Sequence, residues 1–161
     1  MKSFIHATRN LFSLAALLLV LTPSQAAFAQ DKAFTTNPLI DPNTATAEQL
    51  AGISGLSDAG VKAVIANRPF ETPTQLHEAL GSEINDDNQF DIYSAMFVKV
   101  NLNSGENEDF RLVPTTLSAR KLAHEFEEYR PYDSIDQFRR EMSKYVSDEE
   151  VDFLTRFVIV D

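Results

Sequence analysis

From residue 40 onward the apolar residues follow a helical period. Phe90, Tyr93, Met96 and Phe97 fall on one face of a helix, and Val151, Leu154, Phe157 and Val158 do the same further on. Polar residues punctuate these runs as helix starts require. Thr72-Pro73-Thr74-Gln75 reads as an N-cap, a proline at the first helical position and a capping-box glutamine, and Ser134-Ile135-Asp136-Gln137 is its counterpart. Thr46 with Gln49, Asp86 with Gln89 and Ser147 with Glu150 are expected to open three more helices. A side-chain oxygen at such a position satisfies backbone N–H groups that have no acceptor within the helix. Two apolar runs lack this punctuation, 97–102 and 157–160, and read as short strands or as packed connectors; periodicity leaves both open. The pattern predicts an all-α protein with short extended segments at the ends of its units.

The pattern occurs twice. Asp41-Pro42-Asn43-Thr44 is echoed by Asn101-Leu102-Asn103-Ser104, and Leu50 and Ile53 by Phe110 and Val113, sixty residues on. Val61, Val64 and Arg68-Pro69-Phe70 return as Ala123, Phe126 and Arg130-Pro131-Tyr132 at an offset of sixty-two, and Leu76 returns as Phe138. Phe90, Tyr93, Met96, Phe97 and Val98 return as Val151, Leu154, Phe157, Val158 and Ile159 at sixty-one. Self-similarity at a nearly fixed period marks a duplicated structural unit, with short insertions in loops. Two units are expected, 40–100 and 101–161. Each runs helix, tight turn, helix, Pro-aromatic break, helix, helix, extended tail. Arg68 and Arg130, before the prolines, read as charges complementing helix C-termini. Phe70, Tyr129 and Tyr132 read as core residues between helices.

The first thirty residues obey different rules. Lys2 and Arg9 come without an acid, an apolar run covers 11–21, Pro23 follows, and Ala27-Phe28-Ala29 places small residues around a cut. These are the parts of a secretory signal peptide over 1–29, cleaved after Ala29. The run is short for a bilayer span, so no stable membrane insertion is expected after cleavage. Residues 30–39, with Thr35, Thr36, Asn37 and Pro38, read as a flexible leader. Export to a periplasm is the expectation, with release outside the cell as the alternative. The chain contains no cysteine, which excludes disulfides and thiol chemistry.

Charge narrows the functional classes. The chain has 14 bases and 24 acids, net −10, and losing Lys2 and Arg9 brings it to −12. Acids outnumber bases nine to three in 40–100 and fourteen to eight in 101–161, so each unit carries −6. Nucleic-acid binders gain affinity from bases that displace counterions, which this balance opposes, although a local basic patch can act against the total. His77 and His124 each stand on a predicted helix without metal-type spacing to a partner. The acidic clusters Glu125, Glu127, Glu128 and Asp148, Glu149, Glu150, Asp152 lack the alternation of a calcium loop and read as solvated helix faces. No phosphate-cradling glycine loop or nucleophile–base pattern is present. No enzymatic activity, cofactor, metal site or small-molecule substrate is expected.

In the first unit the tight turn reads Ile53-Ser54-Gly55-Leu56-Ser57-Asp58-Ala59-Gly60-Val61. Gly55 can take a positive φ between two helices, and Ser57 or Asp58 can cap the second. Asn43-Thr44-Ala45-Thr46-Ala47-Glu48-Gln49-Leu50 precedes it and Val64-Ile65-Ala66-Asn67-Arg68-Pro69-Phe70 follows. Residues 40–80 thereby resemble the helix-hairpin-helix domain of exported competence proteins of the ComEA type. They also resemble the extrinsic photosystem II subunit of cyanobacteria that carries the same fold. The second unit, with Val113-Pro114-Thr115-Thr116-Leu117-Ser118-Ala119-Arg120 at its turn, matches mainly through its flanks. In DNA-binding members two glycines flank an apolar residue, so that backbone N–H groups reach a phosphate at a helix N-terminus. The resemblance implies Gly55, Leu56, Ser57 and Lys62 as the contact set in the first unit, with Arg120 and Lys121 beside the second turn. The chain departs from that pattern. Ser57 holds the second glycine position, Asp58 follows it, and the second turn has no glycine. The first expectation is therefore an exported, non-catalytic module that binds protein in the cell envelope. The alternative is a periplasmic DNA-binding or DNA-uptake protein of the ComEA type.

Expressed with its own leader, the exported chain is expected to begin at Gln30, as read by intact mass. A first residue of Ala27 would move the cut to Ser24-Gln25-Ala26, and an uncut exported chain would overturn the signal reading.

Overall fold

The computed structural model describes Phe34 and residues 37–161, which are mainly helical. The order is α1 (Ala47–Ala51), α2 (Asp58–Ala66), α3 (Pro73–Leu80), a 3-10 turn (Gly81–Glu83), α4 (Gln89–Ala95) and β1 (Val100–Asn101). Then come α5 (Asn107–Phe110), α6 (Ala119–Glu128), α7 (Ile135–Met142), α8 (Asp148–Leu154) and β2 (Val158–Ile159). The expected signal segment with Ala27 and Ala29 lies outside the described residues, as does most of the leader.

Most helix starts are set by the caps expected from sequence. Thr46 and Gln49 form a reciprocal capping box at α1. Thr72, Ser134 and Ser147 accept from the backbone N–H of Gln75, Gln137 and Glu150, and Pro73 stands in the first turn of α3. The start of α4 differs from expectation. Asn88, not Asp86, stands at its N-cap and makes no side-chain cap bond. Asn85 N–H donates to Asn88 Oδ1 at 2.8 Å and Asn88 N–H to Asn85 Oδ1 at 3.2 Å. Side-chain carbonyls close this turn locally before the helix begins.

Residues 40–100 and 101–161 repeat one set of interactions. Asn43 brackets Phe70: its Nδ2 donates to the Phe70 carbonyl at 2.9 Å and its Oδ1 accepts from Phe70 N–H at 2.7 Å. Asn103 brackets Tyr132 in the same way, at 2.9 and 2.7 Å. Arg68 Nε and Nη2 donate to the carbonyls of Pro42 and Ala45 at 2.5 and 2.7 Å. Arg130 donates to those of Leu102 and Gly105, both at 2.5 Å. The two arginines were expected to complement helix C-termini. They instead hold the segment that opens each half, whose carbonyls lie in a non-helical turn.

The extended tails are short parallel pairings. β1 pairs with β2 through Val100↔Val158 and Asn101↔Ile159, and Ile40 forms a parallel bridge with Met96. Each half therefore ends beside its own beginning. Ile40 N–H donates to the Ala95 carbonyl and Val100 N–H to that of Phe157, each at 2.8 Å.

The described residues belong to one compact unit, and one continuous cluster of buried side chains runs through both halves. Leu50, Val64 and Leu76 in the first half stand where Phe110, Phe126 and Phe138 stack edge-on in the second. A line of rings, Tyr93–Phe97–Phe157–Phe153, crosses from one half to the other with centroids 4.9–5.6 Å apart. Phe90 stacks on Phe153, and Phe34 packs on the same ring. The buried Asp109 carboxylate accepts from Thr74 N–H and Oγ1 in the first turn of α3, a polar tie between the halves. Phe70 and Tyr132 are buried as expected. Tyr129 is half-buried, its hydroxyl 2.7 Å from that of Tyr145.

Arg130→Met is expected to cost roughly 3 kcal/mol, because it leaves two carbonyls without their charged donor, and Arg68→Met a similar amount. Urea unfolding should remain one transition in both variants, since the core is shared. A second transition at the wild-type midpoint would mean that the halves unfold separately.

Candidate functional site

The two interhelical turns are where the sequence places candidate binding residues. In the first, α1 ends at Gly52 and the chain reverses through Gly55, whose φ of 80° favours glycine. A Cβ there would lie 3.1 Å from Asn88 Cβ, so α4 closes one side of the turn. Asn88 Nδ2 donates to the carbonyls of Gly55 (3.3 Å) and Glu83 (2.8 Å). Ser57 caps α2 by accepting from Gly60 N–H at 3.0 Å, and its hydroxyl donates to the Glu83 carboxylate. With Asp58 in the first turn of α2, two carboxylates stand where the helix end would attract an anion.

The second turn is built differently and reaches the same electrostatic result. Glu150, only 3% exposed, reaches in from the first turn of α8. Its Oε1 accepts from Thr115 Oγ1 at 2.7 Å and Thr116 N–H at 2.6 Å, and its Oε2 accepts from Thr116 Oγ1 at 2.6 Å. Thr115 Oγ1 in turn accepts from Leu117 N–H at 3.1 Å. Here a buried carboxylate organises the turn that Gly55 organises in the first half. Ser118 then caps α6 by accepting from Lys121 N–H.

Gly55, Leu56 and Ser57 thus sit together, but Leu56 belongs to the core and Ser57 is engaged by Glu83. Lys62 is exposed on α2. Arg120 and Lys121 lie on the exposed first turn of α6 and line an open depression of about 520 Å³ with Asn107, Arg111, Ser118, His124 and Glu127. The sequence reading missed Arg111. It caps the C-terminus of α5, and the α5–α6 packing brings it beside the start of α6. It also missed Glu83 and Glu150 as partners of the turns. Glu150 read as a capping-box position on a solvated acidic face, but its side chain turns inward to residues 34 and 35 positions away, and Glu125, read as solvated too, is likewise buried.

Other polar groups are committed locally. His77 Nδ1 shares a 2.6 Å hydrogen bond with the Tyr93 hydroxyl, which burial pushes above its usual range. Hydrogen bonding to the Tyr129 hydroxyl and to the Glu125 carboxylate, with desolvation, raises the Tyr145 hydroxyl above its usual range. Lys144 bonds Glu141, holding that carboxyl below its usual range and its own ammonium above. Among the described residues no three His, Asp or Glu side chains converge as a metal would require, and no helix is long and apolar enough to cross a membrane. Comparison with protein-family models, curated proteins and solved structures finds no match to this chain.

Glu150→Ala is expected to cost roughly 3 kcal/mol, read as a urea midpoint, since it strands Thr115 and Thr116 donors. Glu83→Gln, at a more open site, should change stability by less than about 1 kcal/mol. Equal, small effects of the two would show that Glu150 does not organise its turn.

Proposed function

We propose that this chain is an exported, non-catalytic protein of two tandem helix-hairpin-helix units that binds protein in the cell envelope, periplasmic in its final address. The tandem reading draws support from the recurring Asn43/Asn103 and Arg68/Arg130 contacts and from the closure of each half on its own start. The binding reading is carried by one observation. At each hairpin turn, groups that could receive an external phosphate are held by a carboxylate of the same chain, Glu83 on Ser57 and Glu150 on Thr116 N–H. A phosphate would have to displace a bonded carboxylate of like charge, in a chain of net −10.

The test is binding of the processed chain to a duplex DNA, followed by fluorescence anisotropy at low and physiological salt. Saturable binding at physiological salt is not expected. Tight binding with a steep salt dependence, lost in Lys62→Ala and in the Arg120→Ala/Lys121→Ala pair, would replace this reading with DNA uptake.

A further inference from the structure

The bases of the described residues are unevenly committed. Arg68, Arg130 and Arg156 donate to backbone carbonyls. Arg139, Arg140 and Lys144 pair with Asp152 and Glu141. The side chains of Arg111 and Arg120 form no hydrogen bond or ion pair with the described residues, and both line the depression at the start of α6. Lys121 lines it too, its ammonium 5.0 Å from the centre of the Tyr145 ring, which leaves its charge uncompensated. His124, whose Nε2 lies 3.6 Å from the Glu128 carboxylate, also lines it. Three uncompensated cations on one concave surface of a strongly acidic chain are a local field opposite in sign to the whole.

A second depression, of about 200 Å³, shares Arg111 with the first. Half-buried Phe90, Leu112 and Leu117 and buried Pro114 supply the apolar part of its mixed lining, and Asp86 and Gln89 stand on its α4 side. Arg111 is thus common to an apolar recess and a basic one.

We infer that this pair of depressions docks an acidic peptide segment carrying one apolar side chain, an inference that rests on the protein-binding function proposed above. The apolar side chain enters the recess formed by Phe90, Leu112 and Leu117. Its acidic neighbours lie on the Arg111–Arg120–Lys121 side, away from Asp86. Charge complementarity selects an acidic partner, and the recess selects a peptide over a polyphosphate, which has no apolar group to bury. A duplex would also carry a charge every ~1.7 Å past Glu127 and Asp86, which border the same surface. A short peptide meets only the local cations, because salt screens charges beyond about 8 Å at physiological strength.

The experiment is an amide NMR titration of the ¹⁵N-labelled processed chain with the synthetic peptide acetyl-Glu-Asp-Glu-Leu-Glu-Asp-amide. A Leu-to-Ser peptide, an all-amide Gln/Asn peptide and a short duplex DNA are the comparison ligands. The acidic peptide should shift the amides of Arg111, Leu112, Leu117 and Lys121. Its affinity should fall roughly tenfold in the exposed pair Arg120→Glu/Lys121→Glu and at high salt. Both altered peptides should bind more weakly. Unchanged amide dispersion elsewhere checks that the double variant is folded. No shift at these residues, or equal binding of the all-amide peptide, overturns the proposal. Peptide shifts confined to another surface overturn this location while leaving the protein-binding function standing. Tighter binding of the duplex at these same residues overturns both.

Discussion

The segment that opens each half carries backbone carbonyls that no helix or strand can satisfy. Pro42 and Ala45 in the first half, and Leu102 and Gly105 in the second, face a single guanidinium more than twenty residues further on. A planar donor with fixed geometry is suited to two carbonyls at once, which a lysine is not. Asn43 and Asn103 brace the residue two positions beyond each arginine. The position of the opening segment decides where Ile40 and Val100 can pair, and that pairing brings the end of each half back to its start. The helices between are short, five to ten residues in most cases, and depend on this closure and on burial rather than on their own propensity.

Within this frame the two halves diverge where their partners differ. Leu50, Val64 and Leu76 are fully buried where Phe110, Phe126 and Phe138 are buried in the second half. At Gly105 a Cβ would come within 2.2 Å of Val100 Cγ1, 2.8 Å of the Asn101 carbonyl oxygen and 3.0 Å of Phe110 Cζ, whereas Ala45 holds the matching position in the first half. The interhelical turns diverge as well. Gly55 solves the first by backbone freedom, with Asn88 holding it from α4. Glu150 solves the second with a buried carboxylate that accepts three hydrogen bonds. Such a charge is tolerable because hydrogen bonds from Thr115 and Thr116 offset its desolvation.

This economy of charge shapes the functional reading. Carboxylates guard the turns where the fold would otherwise present an anion site. Most arginines are spent on architecture. Of the cations left over, Arg111, Arg120 and Lys121 gather on one surface, away from Gly55 and Ser57, while Lys62 and Lys99 stand outside it. The proposed peptide docking therefore lies beside the second interhelical turn and at neither turn itself.

Much of the architecture was legible in the residues. Apolar spacing and caps such as Thr46, Thr72, Ser134 and Ser147 placed helix starts because those interactions span three or four residues. The positive φ at Gly55 was legible for the same reason, since it is a property of the residue itself. What lay beyond local reach was decided by tertiary structure. Val100 and Asn101 in the run 97–102 became paired only because they met Val158 and Ile159 in the run 157–160, and Ile40 bridges Met96 just before the first run. Arg68 and Arg130 were visible as a repeated pair, but their acceptors lie 23 to 28 residues away in non-helical turns, and sequence alone assigned the two to helix C-termini. Glu83, Glu150 and Arg111 acquire their roles from neighbours that only packing supplies. Short-range hydrogen bonding determines where this chain's helices begin; the closure of long loops determines which of its charges are spent on the fold and which are not.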